Sequence, residues 1–120
     1  MRLSVNLKSS FFAQTVVQHY RIFKAIARLI FLRRNSPALC HGIYRQLYVD
    51  HEQICFLRQA GDERVVVMVN ASDKPMRFKV EIPFEMGAEG YDLLNEQTIA
   101  VGSQQIICEV LPNWARVLRV

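Results

Sequence analysis

The first 49 residues contain no Asp and no Glu. They carry eight Lys or Arg, whereas residues 50–120 carry seven basic and eleven acidic side chains. The formal charge of +4 therefore hides a strongly basic segment followed by an acidic one. So abrupt a switch points to two pieces of different exposure rather than one evenly charged surface. Cysteine is scarce as well. Cys40, Cys55 and Cys108 are an odd number at wide spacing, which excludes a fully paired disulfide framework within one chain and suits a reducing, cytoplasmic compartment. A secretory leader is not expected, because Lys8 and two serines interrupt the apolar stretch of MRLSVNLKSSFFAQTVVQ. In composition alone this start also resembles a mitochondrial presequence. What is plentiful is apolar material: 51% of the 120 residues are hydrophobic, enough for one compact domain with an attached helix.

Local metal and nucleophile motifs are missing too. The single close Cys/His combination is Cys40-His41, whose side chains leave the backbone in different directions and do not chelate together. His19, His41 and His51 stand in no local motif with a Ser or Cys nucleophile. Asp50, Asp62, Glu63, Asp73 and Glu96 fall in predicted turns, where acids are common because they bond their own backbone. Glu85, Glu89 and Asp92 read as a solvated acidic loop, and Asn70-Ala71-Ser72, which has the form of a glycosylation acceptor, reads as a polar turn. Cys55 and Cys108 alternate with apolar neighbours and read as buried structural thiols. No catalytic residue, metal ligand or cofactor site is therefore assigned.

Neither Pro nor Gly occurs between Ala13 and Arg34. Val16, Tyr20, Phe23, Ala27 and Ile30 recur there at alternating four- and three-residue steps, which predicts one long amphipathic helix. Arg21, Lys24 and Arg28 share its polar stripe, so it is no membrane span. Ile22, Ile26 and Leu29 widen its apolar arc. Asn35-Ser36-Pro37 ends it, since a residue before proline is pushed out of the helical region. Beyond Gly42 the period becomes two. Strands are predicted at 43–49, 52–59, 64–70 and 76–82, with weaker ones at 90–94, 97–101, 104–110 and 115–120. The turns between them, Asp50-His51, Gly61-Asp62, Ser72 to Pro75, Asn95-Glu96, Gly102-Ser103 and Leu111 to Asn113, suit a Greek-key-like antiparallel β-sandwich built of hairpins. In the 64–70 strand, Val65, Val67 and Val69 should face one side and Val66 and Met68 the other. Apolar on both sides, it should be a covered central strand.

The string RLIFLRRNSPALCHGIYRQLY (28–48) resembles the junction between the last barrel helix and the carboxy-terminal domain of alpha-amylase-family glycoside hydrolases. It is most similar to neopullulanases, cyclomaltodextrinases and maltogenic amylases. The shared features are a helix ending "LIxLRRxxPAL", then a Gly (Gly42) and a "YxxLY" strand (Tyr44 to Tyr48). RQAGDERVVVMVNASDKPMRFKVEIP (58–83) resembles the family's "GDExVLVVxNxSDxP" hairpin, GYDLLNEQTIAV (90–101) its "DLLTGE" strand pair, and LPNWARVLRV its last strand. The resemblance implies three parts: an unmatched segment 1–14, a barrel-type helix and linker over 15–40, and a sandwich over 41–120. Members are retaining hydrolases of α-glucosidic bonds whose Asp and Glu residues lie on a (β/α)8 barrel. Those motifs have no counterpart in this sequence.

The function this implies is structural: a sandwich that caps and stabilises a (β/α)8 barrel, with the helix as the docking piece or, lacking a barrel, as a surface for self-association. The chain alone is not expected to be an enzyme, and a truncated or split gene product is the expected origin. The alternative is a stand-alone carbohydrate-binding module for α-glucan. Its candidate contacts are Tyr44, Tyr48, Tyr91 and Trp114, whose rings can stack on sugars, although core packing is the commoner use of such side chains. Tyr44 and Tyr48, an even number apart, are expected on one strand face. A basic module for nucleic acid or membrane is disfavoured, because only three cations share the helix stripe, and no cofactor is expected.

Overall fold

The computed structural model describes Tyr20 and residues 23–120. The chain divides into two compact units, 1–31 and 32–120. Residues 23–35 form a helix (α1). The part of the predicted helix before Tyr20, with Val16, and also Arg21 and Ile22, lies outside the described residues, as do the segment 1–14 and His19.

The Asn35-Ser36-Pro37 stop is also a start. A five-residue helix, α2 (Pro37–His41), follows, with Ser36 as its N-cap accepting from the Leu39 amide, Pro37 in its first turn and Gly42 at its C-cap. Glu63 reaches this turn from a distant strand: its Oε1 accepts from Ser36 Oγ at 2.6 Å and from the Ala38 amide at 2.9 Å. Glu63 thus satisfies amino-terminal donors that the helix cannot satisfy internally, and it is no solvated turn acid. The amide of Gly42 donates to the Ala38 carbonyl at 2.9 Å.

Eight strands follow, each within two residues of its expected place: β1 (Ile43–Val49), β2 (Gln53–Ala60), β3 (Glu63–Asn70), β4 (Met76–Glu81), β5 (Glu89–Asp92), β6 (Gln97–Ala100), β7 (Gln105–Val110) and β8 (Trp114–Arg119). They form two antiparallel layers, a six-stranded sheet in the order β1-β2-β3-β8-β5-β6 and a two-stranded sheet β4-β7. The architecture is a β-sandwich. The hairpins β1–β2, β2–β3 and β5–β6 occur as the turn chemistry predicts. The chain does not turn back at 71–75, however. It crosses to the other layer there, and crosses again before β5, before β7 and before β8, which gives the Greek-key-like strand order.

Two apolar clusters flank the larger sheet. Between the layers lie Cys55, Leu57, Val66, Met68, Phe78, Val80, Ile106, Val110 and Leu118. On the outer side Val65, Val67 and Val117 pack with Leu32, Ala38 and Leu94. β3 is the central strand that this requires: it pairs with β2 on one side and β8 on the other, and its valines and Met68 divide between the two clusters as period two dictates. Cys55 has no solvent contact, while Cys108 is only half-buried and lies against Met68, sulfur to sulfur, at 3.3 Å. All three cysteines are free thiols, and Cys40 is exposed.

Candidate interaction surfaces

The four candidate sugar contacts do not converge. Pairing between β1 and β2 slips between Gln46 and Tyr48, so that Gln46 faces Phe56 and Tyr48 faces Cys55. This bulge adds one residue to β1 and reverses the alternation. Tyr44 therefore lies against Phe56 on the outer side of the sheet (ring centroids 5.1 Å), whereas Tyr48 meets Phe78 edge-on, on the side of the second layer (6.3 Å, 73°). The expected common face is lost. Tyr91 stands on β5 opposite Arg119. Trp114 is half-buried, its indole Nε1 donating to Asn95 Oδ1 at 2.7 Å.

That indole belongs to a polar hub at Asp92, which has no solvent exposure. Asp92 Oδ1 accepts from the amides of Leu94 (3.1 Å), Asn95 (3.1 Å) and Val117 (3.3 Å), and its Oδ2 accepts from Asn95 Nδ2 (2.7 Å) and Arg116 Nη1 (3.1 Å). The expected solvated acid is instead a buried carboxylate with its lone pairs filled, which is the condition for tolerating a charge inside a protein. Its chemistry is spent on the turn between β5 and β6 and on β8. Nothing is left over for acid–base work.

A second hub is Asn70, equally enclosed. Asn70 Nδ2 donates to the carbonyls of Lys74 (2.8 Å), Val110 (3.1 Å) and Leu111 (3.2 Å), and Asn70 Oδ1 accepts from Ser72 Oγ (2.7 Å) and the Ser72 amide (3.0 Å). These bonds hold the crossing from β3 to β4. The Asn-Ala-Ser sequence is a structural turn whose amide nitrogen is not available for glycan attachment in the folded chain. Both hubs went unread in the sequence, although Asn70, Ser72 and Asp92 are among the letters of the motif strings quoted above.

Two open surfaces remain. One is α1 itself, on which Phe23 (70%), Ile26 (52%), Ile30 (49%) and Phe31 (55%) are largely exposed, together with Leu29 and, one turn before, Tyr20. Lys24 lies 5.5 Å from the Tyr20 ring centroid and Arg28 5.6 Å from that of Phe31. The other is a cleft of about 190 Å³ between the end of β1 and β4, lined by Tyr48, Gln53, Arg77, Phe78 and Lys79 among others. At its rim the Tyr48 hydroxyl donates to Asp50 Oδ2 at 3.1 Å. That bond holds the Asp50 carboxyl below its ordinary range and raises the Tyr48 hydroxyl. Among the described residues no group of three or more His, Cys, Asp or Glu could hold a metal ion, and no helix is long and apolar enough to cross a membrane.

The neopullulanase-like C-terminal domain family matches residues 44–113. The cyclomaltodextrin glucanotransferase of Klebsiella oxytoca is 27% identical over 97 residues, 81% of this chain and 15% of that protein. The enzyme of the same name from Geobacillus stearothermophilus is 33% identical over 88 residues, 69% of this chain and 12% of that protein. The chain thus spans less than a sixth of the length of these relatives. Among solved structures, an Anoxybacillus alpha-amylase superposes with a TM-score of 0.73 at 20% identity, over 82% of this chain and 22% of that one, a likeness of fold. The motif strings, the sandwich and the family match agree, and the chain belongs to the neopullulanase-like C-terminal domain family of the alpha-amylase-type enzymes.

Proposed function

We propose that this chain is a non-catalytic sandwich module that packs against a (β/α)8 barrel acting on α-glucosidic bonds and stabilises it. The observation that carries the reading is α1, on which Phe23, Ile26, Leu29, Ile30 and Phe31 are 44–70% exposed although Leu32 is buried in the sandwich. Such a concentration of apolar surface marks an interaction site in a soluble protein. At ~25 cal/mol per Å² of buried apolar area, covering several of these side chains stabilises by several kcal/mol, comparable to the whole stability of a small domain. The full carboxylate partnering of Asp92 supports the non-catalytic part, because it leaves that acid no free role. Three free thiols support a reducing, cytoplasmic setting.

Sedimentation of the full 120-residue chain tests this. The chain alone should self-associate, and Phe23→Glu with Ile30→Glu should make it monomeric without lowering the melting temperature of the sandwich. The preparation should not turn over starch, pullulan or cyclodextrin. A wild-type chain that is a stable monomer, and that unfolds when these two residues are changed, would place the helix in the domain's own core and remove the reading.

A further inference from the structure

The cleft between β1 and β4 has a composition that barrel packing does not explain. β4 has one hydrogen-bonded neighbour, β7, so its other edge borders the cleft. Tyr48 enters from β1 because the bulge sends it there, and its ring is held edge-on to Phe78 and tethered through its hydroxyl to Asp50, yet remains 42% exposed. Gln53, only 7% exposed, lines the same cleft. Its Nε2 reaches Asn70 Oδ1 at the long distance of 3.5 Å, and its Oε1 has no partner among the described residues. No fully enclosed side-chain polar atom among the described residues lacks a partner, so this amide oxygen opens onto the cleft. A nine-tenths buried amide aimed at solvent space with one end unbonded is a group waiting for a polar ligand.

We propose that this cleft binds one glucose unit of an α-glucan, with Tyr48 stacking on the ring's C–H face and Gln53, Arg77 and Lys79 bonding its hydroxyls. The ligand class follows from the donor set. A sugar ring has an apolar face that suits an aromatic side chain, and hydroxyls that donate and accept, which suits the Gln53 amide with Arg77 and Lys79 in the same lining. An anion would use Arg77 and Lys79 but leave the tyrosine ring without a role. Choosing glucose among sugars rests on the family reading above, whereas the location of the site does not. Tyr44, Tyr91 and Trp114 do not line this cleft and have no part in the proposed site.

Titrating the ¹⁵N-labelled full chain with maltoheptaose tests the proposal by nuclear magnetic resonance. Saturable shifts are expected at the Gln53 side-chain amide and in the backbone of residues 48–53 and 76–80. Tyr48→Ala should weaken binding about tenfold, and Tyr48→Phe, which keeps the ring, should bind nearly as wild type. Tyr44→Ala and Tyr91→Ala should change nothing. The site is wrong if the shifts centre on Tyr44, Tyr91 or Trp114, or if maltoheptaose shifts nothing at high millimolar concentration. The ligand class is wrong if inorganic phosphate displaces the sugar or binds in its place. Mapping on the wild-type chain needs no variant to fold, and the sedimentation test involves no sugar, so the two readings fail separately.

Discussion

Cys55 shows how burial alone sets the chemistry of a side chain in this fold. Its thiol is pushed up to about 12, first by loss of hydration and second by the neighbouring Cys108, whose own thiol is raised by burial. A solvated cysteine thiol has an ordinary value of 9.0, so the folded state holds the proton over a pH range in which an unfolded chain has lost it. Through this group, stability is accordingly unaffected below about pH 9. It then falls by about 1.4 kcal/mol per pH unit as pH rises toward 12. Denaturant titrations at stepped pH should show that slope, and Cys55→Ala should flatten it. At pH 8 a thiol reagent should label exposed Cys40 quickly, Cys108 slowly and Cys55 only on unfolding. An equal rate for all three would contradict the burial described. Residue roles of this kind were half-legible in the sequence. The alternation around Cys55 gave its burial, but nothing local distinguished Asp92 or Glu63 from the soluble turn acids Asp50 and Asp73. What separates them is the partners brought by Arg116, Val117, Ser36 and Ala38, all more than twenty positions away in the chain.

At the scale of elements, period and turn chemistry were good guides to where strands lie and poor guides to where they go. Gly61-Asp62 and Ser72 to Pro75 look alike as turns. The first closes a two-residue hairpin with Gly61 at φ +59°, opposite in sign to what side chains prefer. The second carries the chain to another layer, because Asn70 also bonds to the carbonyls of Val110 and Leu111 at the end of β7, contacts that no short window contains. The bulge in β1 is of the same kind: a single unpaired residue reverses the face of Tyr48, and a count of even and odd positions cannot see it. Two glycines make the local part testable. Beyond Gly61 there is open space, so Gly61→Ala should cost about 1 kcal/mol, purely from backbone strain. At Gly42 a Cβ would collide with the Ala38 carbonyl and crowd the Gln59 carbonyl, so Gly42→Ala should destabilise more, by about 2 kcal/mol or above. Urea unfolding of the two variants measures the order, and a milder effect at Gly42 would show that α2 shifts freely on β2.

For the whole molecule, the asymmetry of the layers is the main fact. Six strands on one side are covered by two on the other, and the outer side of the large sheet depends on Leu32, Ala38 and the β5–β6 turn for its cover. The sandwich and its family were legible from the motif strings, which contain Asn70, Ser72, Asp92 and Gly42, residues whose bonds tie parts of the fold together. The cleft beside β4 was not, because Tyr48, Gln53 and Arg77 meet only through the strand order. That order also has a bearing on synthesis. β8 lies between β3 and β5, so β3, with Val65 to Met68 all buried in the finished fold, emerges from the ribosome with one edge bare. Its partner follows roughly 40 residues later, a wait of several seconds at ordinary elongation rates. A chain ended at Leu111 should consequently collect in the insoluble fraction, while one carried through Val120 does so only to the extent that α1 is left uncovered. For this domain the risk of misassembly is concentrated in a time interval during translation, and it closes with the arrival of Val117 and Leu118.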